Sequence, residues 1–67
     1  MIDELELSAI VSEVFSKHPK SVEDAIAEEV SVHHLAGLVV KETKGDVDPT
    51  MVYRLVRRGL YTEAKNQ

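Results

Sequence analysis

Residues Leu35–Leu60 decide the fold of this 67-residue chain, and they read LAGLVVKETKGDVDPTMVYRLVRRGL. At 100° per residue, a helix through the first part of this stretch places its apolar side chains on one broad face. A helix with so wide an apolar face is usually central in a small domain, so we expect the other helices to pack around it. The face consists of Val32, Leu35, Ala36, Leu38, Val39 and Val40.

A short turn divides this stretch into two helices. Gly45 is suited to the left-handed residue that ends the first helix. Asp48 is suited to cap the second helix, and Pro49 to its first position, where the missing N–H costs nothing. Because so few residues connect the helices, we predict that they pack as an αα-hairpin. The second helix then points Met51, Val52, Leu55 and Val56 inward.

The outer side of the first helix carries one stripe with spacings of three, four and three residues. Gly37 lies in this stripe, although glycine in mid-helix costs roughly 1 kcal/mol relative to alanine. One explanation is close packing of Gly37 against another helix. The other is that Gly37 lets an RNA backbone or a partner protein come close between its neighbours. The stripe consists of His34, Gly37, Lys41 and Lys44.

The outer side of the second helix carries three arginines and a tyrosine. Guanidinium groups bind phosphates, and a tyrosine can stack on an unpaired base. Tyr53 and Arg57 are four residues apart and can touch. The pattern is typical of a nucleic-acid surface, and the alternative is a solvated face that keeps a small domain soluble. We take as candidate RNA contacts Lys41, Lys44, Arg54, Arg57 and Arg58, with His34 and Tyr53 as secondary candidates.

The same residues resemble the tail domain of the B subunit of the tRNA-dependent amidotransferase, a domain shared with the YqeY proteins. That family has a Leu-x-Gly-x-x-Met-Lys-x-Thr-x-Gly core, an Asn/Asp-Pro step and an amphipathic helix. Val40 replaces the usual methionine, and His18–Asp24 resembles the Asn-Pro-x-x-Val-x-Asp segment before the core. The resemblance covers residues 3–60. The matching positions are Leu35, Gly37, Lys41, Thr43, Gly45, Asp48 and Pro49.

Two details refine the resemblance. Ala27-Glu28-Glu29 stands where the family often has Gly-Lys, so a basic contact there is not expected. The related archaeal E subunit and free-standing YqeY proteins usually read Ala-Asp-Gly where this chain has Val47-Asp48-Pro49, so the proline favours the B subunit. The segments Val22-Glu-Asp-Ala25 and Lys41-Glu-Thr-Lys-Gly45 favour an archaeal member of the family. In this family the domain ends a much longer polypeptide, so we expect an excised domain, or else a gene that encodes only this piece.

The resemblance implies a cytoplasmic domain that holds tRNA at its elbow or D-loop side while the amidotransferase makes Asn-tRNA(Asn) or Gln-tRNA(Gln). Activation by ATP is expected in another domain of the B subunit, and ammonia is expected from the A subunit, which is the amidase. The C subunit is a further expected partner, and the isolated domain is expected to be monomeric. No catalytic residue, cofactor or metal is expected here. His33 and His34 are adjacent and point about 100° apart, so they cannot share a metal as an i, i+4 pair can.

Charge favours a second hypothesis. The net charge of −4 argues against strong nonspecific nucleic-acid binding. Residues 1–30 carry eight acids and two lysines, whereas residues 31–67 carry four acids and six Lys or Arg. We therefore expect an RNA-facing surface from the second half, with the acidic half turned away. The alternative function is a helical protein–protein interaction module without an RNA role. The sequence contains no cysteine and no membrane-spanning stretch, and we expect no signal peptide.

Periodicity completes an all-α bundle of three to four short helices over residues 1–60. A first helix is predicted up to His18-Pro19, where the proline disfavours further α conformation. A second helix is predicted over Val22–Glu29 after a cap at Ser21, and the central helix after a cap at Ser31. Residues 61–67 are polar without periodicity, and we expect them to fray. The first helix buries Leu7, Ile10, Val11, Val14 and Phe15.

Overall fold

The computed structural model describes residues 1–66, which form four α-helices and no strand. The all-α bundle predicted from the sequence is therefore confirmed. No helix in this described part is both long and apolar enough to cross a membrane. The helices are α1 (Glu4–Lys17), α2 (Pro19–Ala27), α3 (Glu29–Glu42) and α4 (Pro49–Lys65).

The core lies where the apolar faces of the four helices meet. Leu35 and Val39 of α3 have no exposed surface, and α3 packs against each of the other helices. α1 contributes Leu7, and α4 contributes Val52 and Val56, all of them fully buried. The wide apolar face of α3 thus occupies the central position that its sequence indicated.

The turn between α3 and α4 has the expected chemistry. Gly45 is left-handed (φ +78), and its N–H donates to the carbonyl of Val40 at 3.0 Å. This bond from beyond the end of the helix is the Schellman arrangement, which satisfies an end carbonyl. Asp48 accepts a hydrogen bond from the Thr50 N–H at 3.0 Å, and Pro49 is the first residue of α4. Lys44 (φ +58) directly follows the cap residue Thr43, and it is the left-handed residue that ends α3, so the predicted position at Gly45 was one residue too late.

The boundaries of α2 and α3 differ from the prediction. α2 begins at Pro19, three residues before Val22, because proline at the first helical position needs no N–H partner. α3 begins at Glu29, and its cap residue Glu28 makes no side-chain cap bond. Ser31 already lies in the first turn, where its N–H donates to the Glu28 carbonyl at 3.2 Å. The predicted caps at Ser21 for α2 and Ser31 for α3 are therefore both wrong.

The end of α4 also differs. The sequence predicted frayed residues from Tyr61, but the helix continues to Lys65. The Thr62 hydroxyl donates to the Arg58 carbonyl at 3.2 Å, and the Lys65 ammonium lies 5.4 Å from the Tyr61 ring centroid. Residues 61–66 are exposed, and Leu60 is the last buried residue before them. The polar pattern of this segment therefore indicated exposure to solvent and not the end of the helix. Gln67 lies outside the described residues.

The cap at Asp48 gives a first testable prediction. Asp48→Ala should lower the free energy of unfolding by about 1 kcal/mol, because the Thr50 N–H then loses its acceptor. Asp48→Asn keeps a side-chain acceptor and should retain most of the stability. Urea unfolding followed by circular dichroism measures both. Equal losses in the two variants would show that charge, not the cap bond, stabilises the start of α4.

Candidate nucleic-acid interface

Two of the candidate arginines are held by carboxylates from other helices. Arg54 forms an ion pair with Glu4 of α1. Arg57 forms two hydrogen bonds with the Glu29 carboxylate of α3, one of them from Nη1 to Oε2 at 3.2 Å. The arginine side chains remain about half exposed. The outer side of α4 is thus connected to α1 and α3, and the charges of Arg54 and Arg57 are each paired with a carboxylate.

These pairs correct the expected charge distribution. The sequence led us to expect the acidic first half to be turned away from the basic second half. Instead, Glu4 and Glu29 from the first half lie directly on arginines of the second half. The hydrogen bond from Arg57 lowers the pKa of Glu29 below its ordinary value, and the same bond raises the pKa of Arg57. A phosphate that reaches Arg57 must therefore compete with a carboxylate already in place.

His33, which was not among the candidate contacts, pairs with Tyr53. The Tyr53 hydroxyl lies 2.8 Å from Nδ1 of His33, and the two rings meet edge to face with centroids 5.4 Å apart. Glu29 and His33 are four apart on α3, as are Tyr53 and Arg57 on α4. The two contacts therefore form one polar clasp across the antiparallel hairpin. Tyr53 is half-buried in this clasp, not free to stack on both faces.

The outer face of α3, which we define as His34, Gly37 and Lys41 with Lys44 in the turn beyond, is exposed throughout. A Cβ built on Gly37 would find no heavy atom within 4 Å. The explanation of Gly37 by close helix packing is therefore wrong. Among residues 1–66, neither Lys41 nor Lys44 has a carboxylate within ion-pair distance.

Arg58 lies on another side of the bundle. It lines an open groove of about 660 Å³ between α1, α2 and α4. Phe15 lies at the same groove, with its ring so close to α4 that a Cβ on Gly59 would be 2.8 Å from Cε2. The seven candidate contacts thus do not share one surface. They divide between the outer side of α4 with its clasp, the outer face of α3 and this groove.

Residues that could hold a metal ion are not grouped in the described part of the chain. No cluster of three or more His, Cys, Asp or Glu side chains forms there. His33 is turned toward Tyr53, whereas His34 lies on the outer face of α3. The side chains that come together are suited to ion pairing and anion contact.

The fold defines the class: a small all-α domain of four helices in residues 1–66. The chain belongs to the family described as GatB domain, which it matches over residues 1–60. The family predicted from the sequence is thereby confirmed. No solved structure matches the chain with significance.

The relatives carry one common name. The chain is 39% identical over 59 residues to the B subunit of the aspartyl/glutamyl-tRNA(Asn/Gln) amidotransferase of Methanopyrus kandleri, covering 87% of this chain and 13% of that protein. It is 44% identical over 59 residues to the protein of the same name from Caldanaerobacter subterraneus subsp. tengcongensis, covering 87% of this chain and 12% of that one. For Methanoregula boonei the identity is 42% over 55 residues, or 81% and 11% of the two chains. The chain thus spans about an eighth of the length of these relatives.

The clasp gives a prediction about pH. Because the pKa of Glu29 is lowered in the folded state, its ion pair stabilises the domain above the ordinary carboxyl pKa. That contribution is lost as the pH falls through the lowered pKa. The urea midpoint of the wild type should therefore exceed that of Glu29→Gln at neutral pH, and the two midpoints should converge in acid.

The matched control is Glu28→Gln, at an adjacent exposed residue that has no arginine partner in the described structure. Its midpoint should follow the wild type at every pH. A difference between wild type and Glu29→Gln that does not change with pH would contradict the role of the charged pair.

Proposed function

We propose that this domain binds tRNA as part of a cytoplasmic amidotransferase that converts Asp-tRNA(Asn) or Glu-tRNA(Gln) to Asn-tRNA(Asn) or Gln-tRNA(Gln). Its partners are the tRNA, on the elbow or D-loop side, and the A and C subunits of that enzyme. Two observations support the proposal. The chain belongs to the GatB domain family, and its relatives are amidotransferase subunits named for these tRNAs. Exposed lysines without carboxylate partners in the described structure supply the positive charge.

Among the candidate contacts, Lys41 and Lys44 lead because both are exposed and neither is neutralised by a carboxylate in residues 1–66. Arg58 is the next candidate, from the groove side. Arg54 and Arg57 require an exchange of carboxylate for phosphate, so we assign them a smaller share of the binding energy. His34 and Tyr53 are secondary contacts. With so few cations, binding is weak and falls steeply with salt.

The double variant Lys41→Gln/Lys44→Gln tests this proposal. It should weaken tRNA binding at low salt by at least about tenfold and reduce the salt slope by about two, because each lysine neutralises one phosphate. Fluorescence anisotropy with a labelled tRNA transcript across a salt series measures both quantities. Glutamine is preferred to glutamate, because a negative charge in the last turn of α3 would destabilise the helix.

The control is Lys20→Gln/Lys65→Gln, which removes the same charge elsewhere and also breaks the exposed ion pair of Lys20 with Asp24. Lys65 lies in the last helical turn of α4, as Lys41 does in α3. If both double variants weaken binding equally, the domain responds to net charge alone and the assignment is wrong. If the wild-type chain shows no salt-dependent binding to tRNA, the proposed function is wrong.

The alternative is a helical module that binds another protein without an RNA role. One observation favours it: a shallow groove of about 270 Å³ between α2, α3 and the end of α4. Ile26, Leu60 and the exposed ring of Tyr61 lie along this groove. Binding of another amidotransferase component that resists salt and is lost in Tyr61→Ser would support this alternative, because apolar contacts are not screened.

A further inference from the structure

The three glycines of the chain differ in what they do for the fold. Gly45 has the left-handed backbone that favours glycine (φ +78). Gly59 makes room for the Phe15 ring, which a Cβ would approach to 2.8 Å. Gly37 has neither reason, since it lies within α3, is exposed, and a Cβ there would meet nothing within 4 Å. Alanine would suit the helix better at this position. The reason for Gly37 therefore lies outside the folded domain.

The surroundings of Gly37 indicate the charge of what approaches it. His34 is three residues before it and Lys41 four residues after, so all three share one stripe of the helix. Lys44 extends the stripe beyond the end of α3. From His34 to Lys41, both within the helix, the stripe is about 10 Å long at 1.5 Å per residue. It can therefore engage more than one group of a chain-like anion.

The nearest acidic residues of α3 are directed elsewhere. The charge of Glu42 contributes to raising the pKa of Lys17 on α1, and Glu42 lies about 100° around the helix from Lys41. Glu29 is occupied by Arg57. Positive charge on the outer face of α3 is thus not cancelled by its own helix. An extended polyanion suits this face better than an apolar helix, because Val30 is the one large hydrophobic side chain of α3 that is exposed among residues 1–66.

We propose that the RNA backbone lies along the outer face of α3 and comes closest at Gly37, between His34 and Lys41. This inference rests on the proposed function and makes it specific. The phosphate path follows α3, whereas Arg54 and Arg57 of α4 are engaged by Glu4 and Glu29. The missing Cβ lets the sugar-phosphate chain approach the helix backbone, so that the flanking side chains reach phosphates on either side.

The test is Gly37→Ala, measured for stability and for tRNA affinity in the same buffer. The urea midpoint should rise, because alanine is the better helix residue and nothing obstructs its methyl group. The dissociation constant for the tRNA transcript should rise at least fivefold, and Gly37→Leu should raise it further. Opposite changes in stability and affinity cannot come from unfolding. Ala9→Leu adds bulk at an exposed residue of α1 and should leave the affinity unchanged.

A second variant tests whether the RNA lies on α3 or on α4. Arg57→Gln/Glu29→Gln removes the ion pair without changing the net charge. It should weaken tRNA binding by less than Lys41→Gln/Lys44→Gln does, because Arg57 is assigned the smaller share of the binding energy. A tenfold loss in this variant would place the RNA on α4 and overturn the inference.

Two further outcomes separate this inference from the proposed function. If Gly37→Ala binds tRNA as tightly as the wild type while Lys41→Gln/Lys44→Gln does not, the close approach at Gly37 is wrong and tRNA binding stands. If the wild type does not bind tRNA, both fall. A lower urea midpoint for Gly37→Ala would show a structural need for glycine and also overturn the inference.

Discussion

Burial of the apolar face of α3 is the constraint on which the rest of the structure depends. A chain of this length buries only about 60% of its unfolded surface, so its stability is small. It has no cysteine for a disulfide and one phenylalanine, and its core consists of aliphatic side chains. Leu35 and Val39 must therefore be covered from all sides, which requires three surrounding helices. This arrangement leaves one narrow side of α3 exposed, the side with Gly37.

The surface charges have two kinds of role. Arginines form forked, bidentate bonds with carboxylates, and Arg57 uses this geometry on Glu29. Exposed pairs of this kind contribute little to stability, but they fix the position of each side chain. Lysines carry a compact charge on a flexible stem. Lys41 and Lys44 have no carboxylate to hold them within residues 1–66. Arg54 and Arg57 thus connect helices, whereas Lys41 and Lys44 face solvent.

Local sequence patterns predicted the parts of the fold that depend on neighbouring residues. The apolar periodicity of α3, the left-handed Gly45 and the cap at Asp48 are all local, and the structure has them. The serine caps failed because α2 begins with Pro19 and α3 begins at Glu29 without a side-chain cap. The last turns of α4 were predicted to fray because the side chains there are polar. Polar side chains indicate exposure to solvent, but they do not determine whether the backbone is helical.

The site was less predictable, for a physical reason. A helical wheel shows which residues share a face of one helix, but not what another helix places against that face. Arg54 meets Glu4 across 50 residues and Arg57 meets Glu29 across 28, so no local pattern could show that these charges are neutralised.

Gly37 is the converse case. The sequence left two explanations for it, packing inside the domain or approach from outside, and both predict the same residue at the same position. Only the three-dimensional surroundings distinguish them, and the empty space around its Cα removes the first. Glycine weakens the helix at this position, and no contact within the domain requires it. Selection for stability alone would have replaced it, so Gly37 marks a surface with another role. That argument does not depend on charge, so it supports the outer face of α3 independently of its lysines.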